Sequence, residues 1–345
     1  MLGKRQVILG ILIWLLIFGV FVVLAGIGDF VETLSTISRD ELAVMLAAVA
    51  VGVVSMGSCL YVLVRSLGLG LSLFEAVFLN TAVSLAHNLT PFGQAGGVPI
   101  GAAILSTRSD SNYEEFFAAL SMKDLVSFVP AILVFVIGGS YILLYEQSVP
   151  DRLRPLFGIF AFMVVLICGT VLLVRQYSEV AHRLLGRLVG WVNRTIARLP
   201  FVPTLDSEEL QTRLDNFSAS IGEIASDRKT VVLASSLATT AFLAQGTLLW
   251  LTLGAVGVEV PWTLAVFIVP VSLLASGLPL PGGSGGVESV QILTLLAVAS
   301  PDSTSTITAV VLSRGLVFWT PIVLGSLTLL TLNVQKIRTT EGKEG

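Results

Sequence analysis

Apolar runs of about 20 residues recur along this chain, and that length governs what it can become. Twenty helical residues rise about 30 Å, the thickness of a bilayer's hydrocarbon core. A membrane-spanning strand needs only about 10 residues and alternates apolar with polar; these runs do not alternate. Only 12% of the residues are charged, against about 25% in soluble domains, too few to coat a water-facing surface. Lipid must therefore surround most side chains, and lipid admits only backbone whose hydrogen bonds close internally. The sequence predicts an all-α polytopic integral membrane protein. Its two cysteines, Cys59 and Cys168, lie inside apolar runs and read as small buried hydrophobes, not as a disulfide or metal site. The first run follows Lys4 and Arg5 with no small-residue cleavage site behind it, and reads as an uncleaved span.

Six runs are continuous: 7–27, 42–64, 116–145, 156–174, 230–256 and 304–333. Two more, 73–105 and 262–299, are broken in the middle. The first break is Thr90-Pro91-Phe92-Gly93-Gln94-Ala95-Gly96-Gly97; the second is Pro279-Leu280-Pro281-Gly282-Gly283-Ser284-Gly285-Gly286. Proline removes a donor and clashes with the preceding turn, while glycine leaves helical geometry at little steric cost. The segments after the breaks, 98–105 and 287–299, are shorter than the roughly 17–20 residues a span requires. Both broken runs therefore read as re-entrant hairpins, although two full spans in place of one hairpin would preserve the topology's parity.

Charge sets the orientation. Six spans and two hairpins put 15 of the 20 Lys and Arg on the amino-terminal side, with Arg39, Arg152 and Arg154 opposite and Lys123 and Arg314 inside spans. The positive-inside rule then makes both termini cytoplasmic, in the plasma membrane. The cytoplasmic insert 175–229 holds a basic amphipathic stretch, with Val180, Leu184, Leu188 and Val192 opposite Arg183, Arg187 and Arg194, suited to the headgroup plane. After Pro200 and Pro203, Asp206 with Glu209 opens a second helix carrying Leu210, Leu214, Phe217, Ile221 and Ile224.

An internal repeat offset by about 188–189 residues joins the halves. Leu42 and Thr230 both open spans, Ala76-Val77-Phe78 matches Ala265-Val266-Phe267, and Gly93, Gly96 and Gly97 match Gly282, Gly285 and Gly286. The first repeat covers 1–155 and the second 156–333, with a cytoplasmic tail at 334–345. Each holds three spans and one hairpin; three is odd, so the second repeat must sit inverted. Inverted repeats with broken helices are the plan of many transporters, whose sites lie where the breaks meet.

The candidate site follows from that plan. Gly96 and Gly97 at one tip, and Gly285 and Gly286 at the other, offer backbone N–H groups at a half-helix start, where anions bind. Ionisable residues inside spans are costly and mark function: Arg314, Glu288 just after the second tip, and Lys123 with Asp124 at a comparable repeat position. Arg314 has two candidate partners, Glu288 and Asp124. Glu75 reads as an interfacial charge and His87 as a hydrogen-bonded packing residue; Asn80, Asn88, Gln94, Gln245 and Gln291 are polar without an assigned role. No phosphate-cradling or zinc-protease motif occurs, and His87 and His182 are the only histidines. An enzyme, a bound cofactor, a metal centre and nucleic-acid binding are not expected.

The second tip, Pro281-Gly282-Gly283-Ser284-Gly285-Gly286-Val287-Glu288, resembles the Pro-Gly-Gly-x-Gly-x-x-Glu signature of the flippase-like membrane family. That family includes the membrane region of lysylphosphatidylglycerol synthases and the membrane halves of some archaeal dolichol-phosphate glycosyltransferases. The resemblance extends to the span layout, both breaks, the amphipathic insert and Arg314. It implies a translocase for an anionic phospholipid or polyprenyl-phosphate-linked lipid. The synthases' soluble aminoacyl-transferase domain has no counterpart here, so lipid aminoacylation does not carry over. The first tip has Gln94-Ala95 where many relatives carry arginine and glutamate. Two other readings remain: an ion-coupled carrier of a small anionic solute, and a membrane accessory that anchors a separate transferase.

Overall fold

A computed structural model describes residues 4–90, 94–107, 112–130, 132–133, 137, 158, 165, 207–273, 275, 281–299 and 302–341. Most of the expected span 156–174, the amphipathic stretch at 177–198 and most of 131–145 lie outside the described residues, as do 91–93 and 276–280 within the breaks. The described elements are α1 (Lys4–Ala25), α2 (Ile27–Ser35), α3 (Arg39–Ser66), α4 (Leu73–Leu89), α5 (Gln94–Leu105), α6 (Tyr113–Val126), α7 (Ser207–Ser226), α8 (Arg228–Ala255), α9 (Trp262–Leu273), a 3₁₀ turn at Pro281–Gly283, α10 (Gly286–Ala299) and α11 (Ser303–Glu341). No strand occurs among them.

Helix starts follow local chemistry. Ser38 Oγ accepts from the Glu41 amide at 3.2 Å while Glu41 Oε2 accepts from the Ser38 amide at 2.8 Å. Ser72 and Glu75 repeat this reciprocal box at 3.3 and 3.0 Å, so Glu75 caps α4. Asp302 Oδ2 takes the Ser305 amide at 2.8 Å at the head of α11, and those amides hold its carboxyl below the usual range. Replacing Ser72 by alanine is expected to cost about 1 kcal/mol, read as a lower midpoint of thermal unfolding in detergent with the helix content unchanged.

α3, α8 and the Ser303–Thr331 part of α11 are long and apolar enough to cross a membrane, and α1 with α2 makes a fourth candidate. Here the structure corrects the sequence. The first run does not continue past Ala25: Gly26, at φ +85°, breaks it, and α2 leaves at 91°. The span expected over 116–145 opens three residues earlier; after Val126 the helix is interrupted at Ser127 and resumes at 128–130, 132–133 and 137. Pro130 has no N–H to give the Val126 carbonyl, which accounts for the interruption. The last helix runs beyond residue 333 to Glu341, through most of the expected tail.

The two largest cores are each drawn mainly from one half, with Ile224 and Ala234 joining the first from the second half. Leu60, Val64, Leu69, Leu71 and Leu79 are buried in the first; Leu249, Leu253, Val258, Val260 and Ile268 occupy the second, each 189 residues further on. α3 and α8 also end alike. Gly68 (φ +69°) donates to Arg65 O and Leu69 to Val64 O; Gly257 (φ +78°) donates to Gly254 O and Val258 to Leu253 O. Both are Schellman motifs, which suit glycine at the left-handed position. A Cβ on Gly57 would lie 2.5 Å from Val77 Cα, and one on Gly246 would lie 2.7 Å from Val266 Cα. Between the cores α3 and α8 run antiparallel, with Met45 and Val49 beside Leu248 and Gly52 beside Ala241. Small residues permit such close approach in lipid, where apolar burial alone gives helices little reason to associate.

α7 is the helix expected after Pro203. It docks on α6: Phe217 lies 5.3 Å from the Phe117 ring, Ile224 is buried in the first core, and Arg213 bridges to Glu114 at 3.0 Å. At the same corner Tyr113 Oη donates to Pro99 O of α5 at 3.3 Å.

Candidate functional site

The second break is built around one ion pair. Arg314 Nε donates to Glu288 Oε1 at 2.9 Å, and Arg314 Nη2 donates to Gly282 O at 3.3 Å. The other carboxylate oxygen of Glu288 accepts from the Gly285 amide at 2.7 Å. Glu288 therefore does two jobs: it caps the start of α10 from the third helical position, and it holds the arginine. Side-chain exposures of 12% for Arg314 and 6% for Glu288 make this a sheltered pair, whose charges must be compensated locally. Of the two partners open to Arg314 in the sequence, the structure selects Glu288.

Gly282, Gly283 and Gly285 adopt φ of 60°, 68° and 83°. These conformations turn the Gly282 carbonyl toward Arg314 and the Gly285 amide toward Glu288, and they penalise any residue with a Cβ. Gly286 is the first residue of α10.

The first break differs. Gly96 and Gly97 lie inside the opening turn of α5, at the half-helix start where the sequence puts them, with helical backbone. Gly97 is needed for contact: a Cβ there would meet His87 Cδ2 and would lie 2.7 Å from the His87 backbone nitrogen. His87 also departs from expectation, since its Nε2 is buried without a hydrogen-bond partner. The two breaks approach one another, for a Cβ on Gly282 would lie 3.2 Å from Asn88 Oδ1.

Lys123 is 2% exposed and donates to Asn80 Oδ1 at 2.8 Å, a neutral partner that the sequence did not single out. Asp124 and Asn80 line a cavity of about 270 Å³ between α3, α4, α6, α8 and α11, which also receives Gln245. Gln291 is buried and donates to Ser272 Oγ at 3.2 Å, while its Oε1 has no partner. The Gln94 side chain lies outside the described residues. Thus Gly282, Gly285, Glu288 and Arg314 come together in one cluster, Gly97 belongs to a second contact, Asp124 belongs to the neighbouring cavity, and Lys123 is buried behind the cavity residue Asn80. No group of three or more His, Cys, Asp or Glu suited to a metal occurs among the described residues.

A family model described as the lysylphosphatidylglycerol synthase TM region matches residues 7–325. The chain belongs to this family. Every residue of the cluster lies inside the matched span. Two proteins of Methanothermobacter thermautotrophicus, each described as a UPF0104 membrane protein, are similar to it. One is 25% identical over 260 residues, covering 73% of this chain and 70% of its own length. The other is 23% identical over 252 residues, covering 72% and 71%. As a member of the lysylphosphatidylglycerol synthase TM-region family the protein is an integral membrane protein.

Proposed function

We propose that this protein is a translocase that moves anionic lipids, phospholipid or polyprenyl-phosphate-linked, between leaflets. The observation that carries the reading is the convergence of Arg314, the Gly282 carbonyl and the start of α10 on one glycine break inside an apolar segment. A helix start contributes about half a positive charge, and arginine's planar fork suits bidentate contact with phosphate. Glu288 positions that fork and offsets its charge while no lipid is bound; a phosphate then shares the guanidinium. The lipid's tails stay in the bilayer while the headgroup follows the polar interior.

The matched core positions, helix ends and Gly–Val contacts 189 residues apart support an inverted repeat of three spans and a hairpin in each half. The uneven distribution of Lys and Arg supports cytoplasmic termini in the plasma membrane. No catalytic step or cofactor is assigned to this chain; a transferase that makes or uses the lipid would be a separate partner.

The test is reconstitution. Vesicles carrying labelled phosphatidylglycerol or labelled phosphatidylcholine should show phosphatidylglycerol crossing several-fold faster than in protein-free vesicles, with phosphatidylcholine little changed. Equal acceleration of both lipids, or of neither, overturns the reading.

A further inference from the structure

The cavity between α3, α4, α6, α8 and α11 is separate from the glycine break, and the translocation step above leaves it unused. Most of its wall is apolar and small, but Asp124 contributes a carboxylate, Asn80 and Gln245 amides, and Ser84 and Ser127 hydroxyls. Asn80 faces two ways: it lines the cavity and holds the buried Lys123 ammonium at 2.8 Å. The Asp124 carboxylate thus faces the cavity directly, while the ammonium of the adjacent Lys123 stands behind Asn80, outside the lining. The cavity also continues the path of the break. Val317 and Pro321 of its lining follow Arg314 at i+3 and i+7 on the same stripe of α11, roughly 5–10 Å further along the axis.

We propose that Asp124 is a proton-binding site that couples proton movement to passage of the anionic headgroup. This rests on the translocase reading. While Asp124 is ionised, it cancels Lys123 and the cavity has no net attraction for phosphate. When one Asp124 oxygen takes a proton from water on one side, an O–H bond forms and the Lys123 ammonium is left uncompensated. A phosphodiester anion then enters as its counter-charge. Release of that proton to water on the other side restores the Asp124 charge and expels the headgroup. One proton and one monoanionic lipid move together, so the step is electroneutral.

The charge pattern favours a proton over a metal cation. A metal would add positive charge beside Lys123, and the Asn80 oxygen already accepts from the ammonium. Few other groups compete. α3 brings the buried Cys59 thiol, α4 brings His87, and α11 brings Arg314, which is tied to Glu288. α5 has no titratable residue from Gly96 to Thr107, and α8 has none from Thr230 to Ala255. The Arg213–Glu114 pair lies at the start of α6, about three turns from Asp124.

The experiment uses the full chain in vesicles with labelled phosphatidylglycerol and no membrane potential. A gradient of one pH unit should concentrate label about tenfold in the alkaline-side leaflet, the ratio for one proton per lipid. Asp124→Asn should distribute label evenly with or without the gradient, and Asp124→Glu should restore the response. Infrared difference spectra of the purified protein should contain a titrating carboxylic acid that is missing from Asp124→Asn. An even distribution in the wild type while lipid still crosses, or a gradient response that survives Asp124→Asn, overturns the coupling and leaves the translocase reading standing. Absence of all lipid crossing in the wild type overturns both.

Discussion

Arg314→Met is expected to abolish lipid translocation and to destabilise the protein, and a second substitution should separate the two effects. Removing the guanidinium leaves the Glu288 carboxylate sheltered and unpaired, and breaking a buried pair from one side costs about 3–5 kcal/mol. It also frees the Gly282 carbonyl. Adding Glu288→Gln removes the orphan charge, so Arg314→Met with Glu288→Gln should recover most of the lost thermal stability. It should not recover transport, because the group that meets the phosphate is still gone. Arg314→Lys retains the charge but cannot reach Glu288 and Gly282 together as the fork does; a translocation rate at least tenfold lower is expected with near-normal assembly. The measurement is flip rate per folded molecule in reconstituted vesicles. A double variant that moves lipid at the parental rate would remove Arg314 from the mechanism.

The second large effect is expected at Gly97. Its Cβ position is filled by His87, including the His87 backbone nitrogen at 2.7 Å and Cα at 2.8 Å. Side-chain rotation cannot clear backbone atoms, so α5 must withdraw from α4. Overpacking of this kind costs about 1–3 kcal/mol and sometimes more, and valine adds two methyls to the clash. Gly97→Val should therefore cut the yield of folded protein several-fold, with Gly97→Ala intermediate. Gly315 supplies the control. A Cβ there would meet only Phe18 Cε2, at an ordinary 3.8 Å, in the middle of α11. Gly315→Ala should leave the yield unchanged or raise it, since alanine favours the helix by about 1 kcal/mol. Equal losses in the two alanine variants would contradict the contact geometry.

Much of this architecture is legible in the residues because lipid leaves few options. Ser38 with Glu41 and Ser72 with Glu75 announce helix starts, and charged residues within apolar runs demand partners. That demand points to Arg314, yet it leaves Glu288 and Asp124 as equal candidates. The choice depends on how α10 and α6 stand relative to α11, which only packing decides. The two breaks also read alike, with the same glycine spacing. They differ in three dimensions because glycine permits unusual backbone without dictating it. At the second break Glu288 and Arg314 bind the Gly285 amide and the Gly282 carbonyl and so fix the conformation. The residue 189 positions before Glu288 is Pro99, which has no carboxylate, and there Gly96 and Gly97 stay helical. Gly26 gives no warning either: Gly10 and Gly19 of the same apolar run stay helical, so nothing in the sequence marks the third glycine as the bend.

The bend at Gly26 sets the draught at which the arginine floats. If α1 is the crossing part of that bent pair, α2, turned 91° from it, lies along the bilayer plane, and its make-up is that of a surface rib, with Asp29 and Glu32 beside the exposed Ile27 and Val31. Its buried Phe30 packs on Val311, with Ile307 alongside. Those two positions of α11 are thereby pinned at the level of the rib. Arg314 follows them by three and seven residues, roughly 5 and 10 Å further down the axis. The hydrocarbon half-thickness is about 15 Å, so with the rib at the surface the guanidinium would hang short of the centre, within a headgroup's dip from one face.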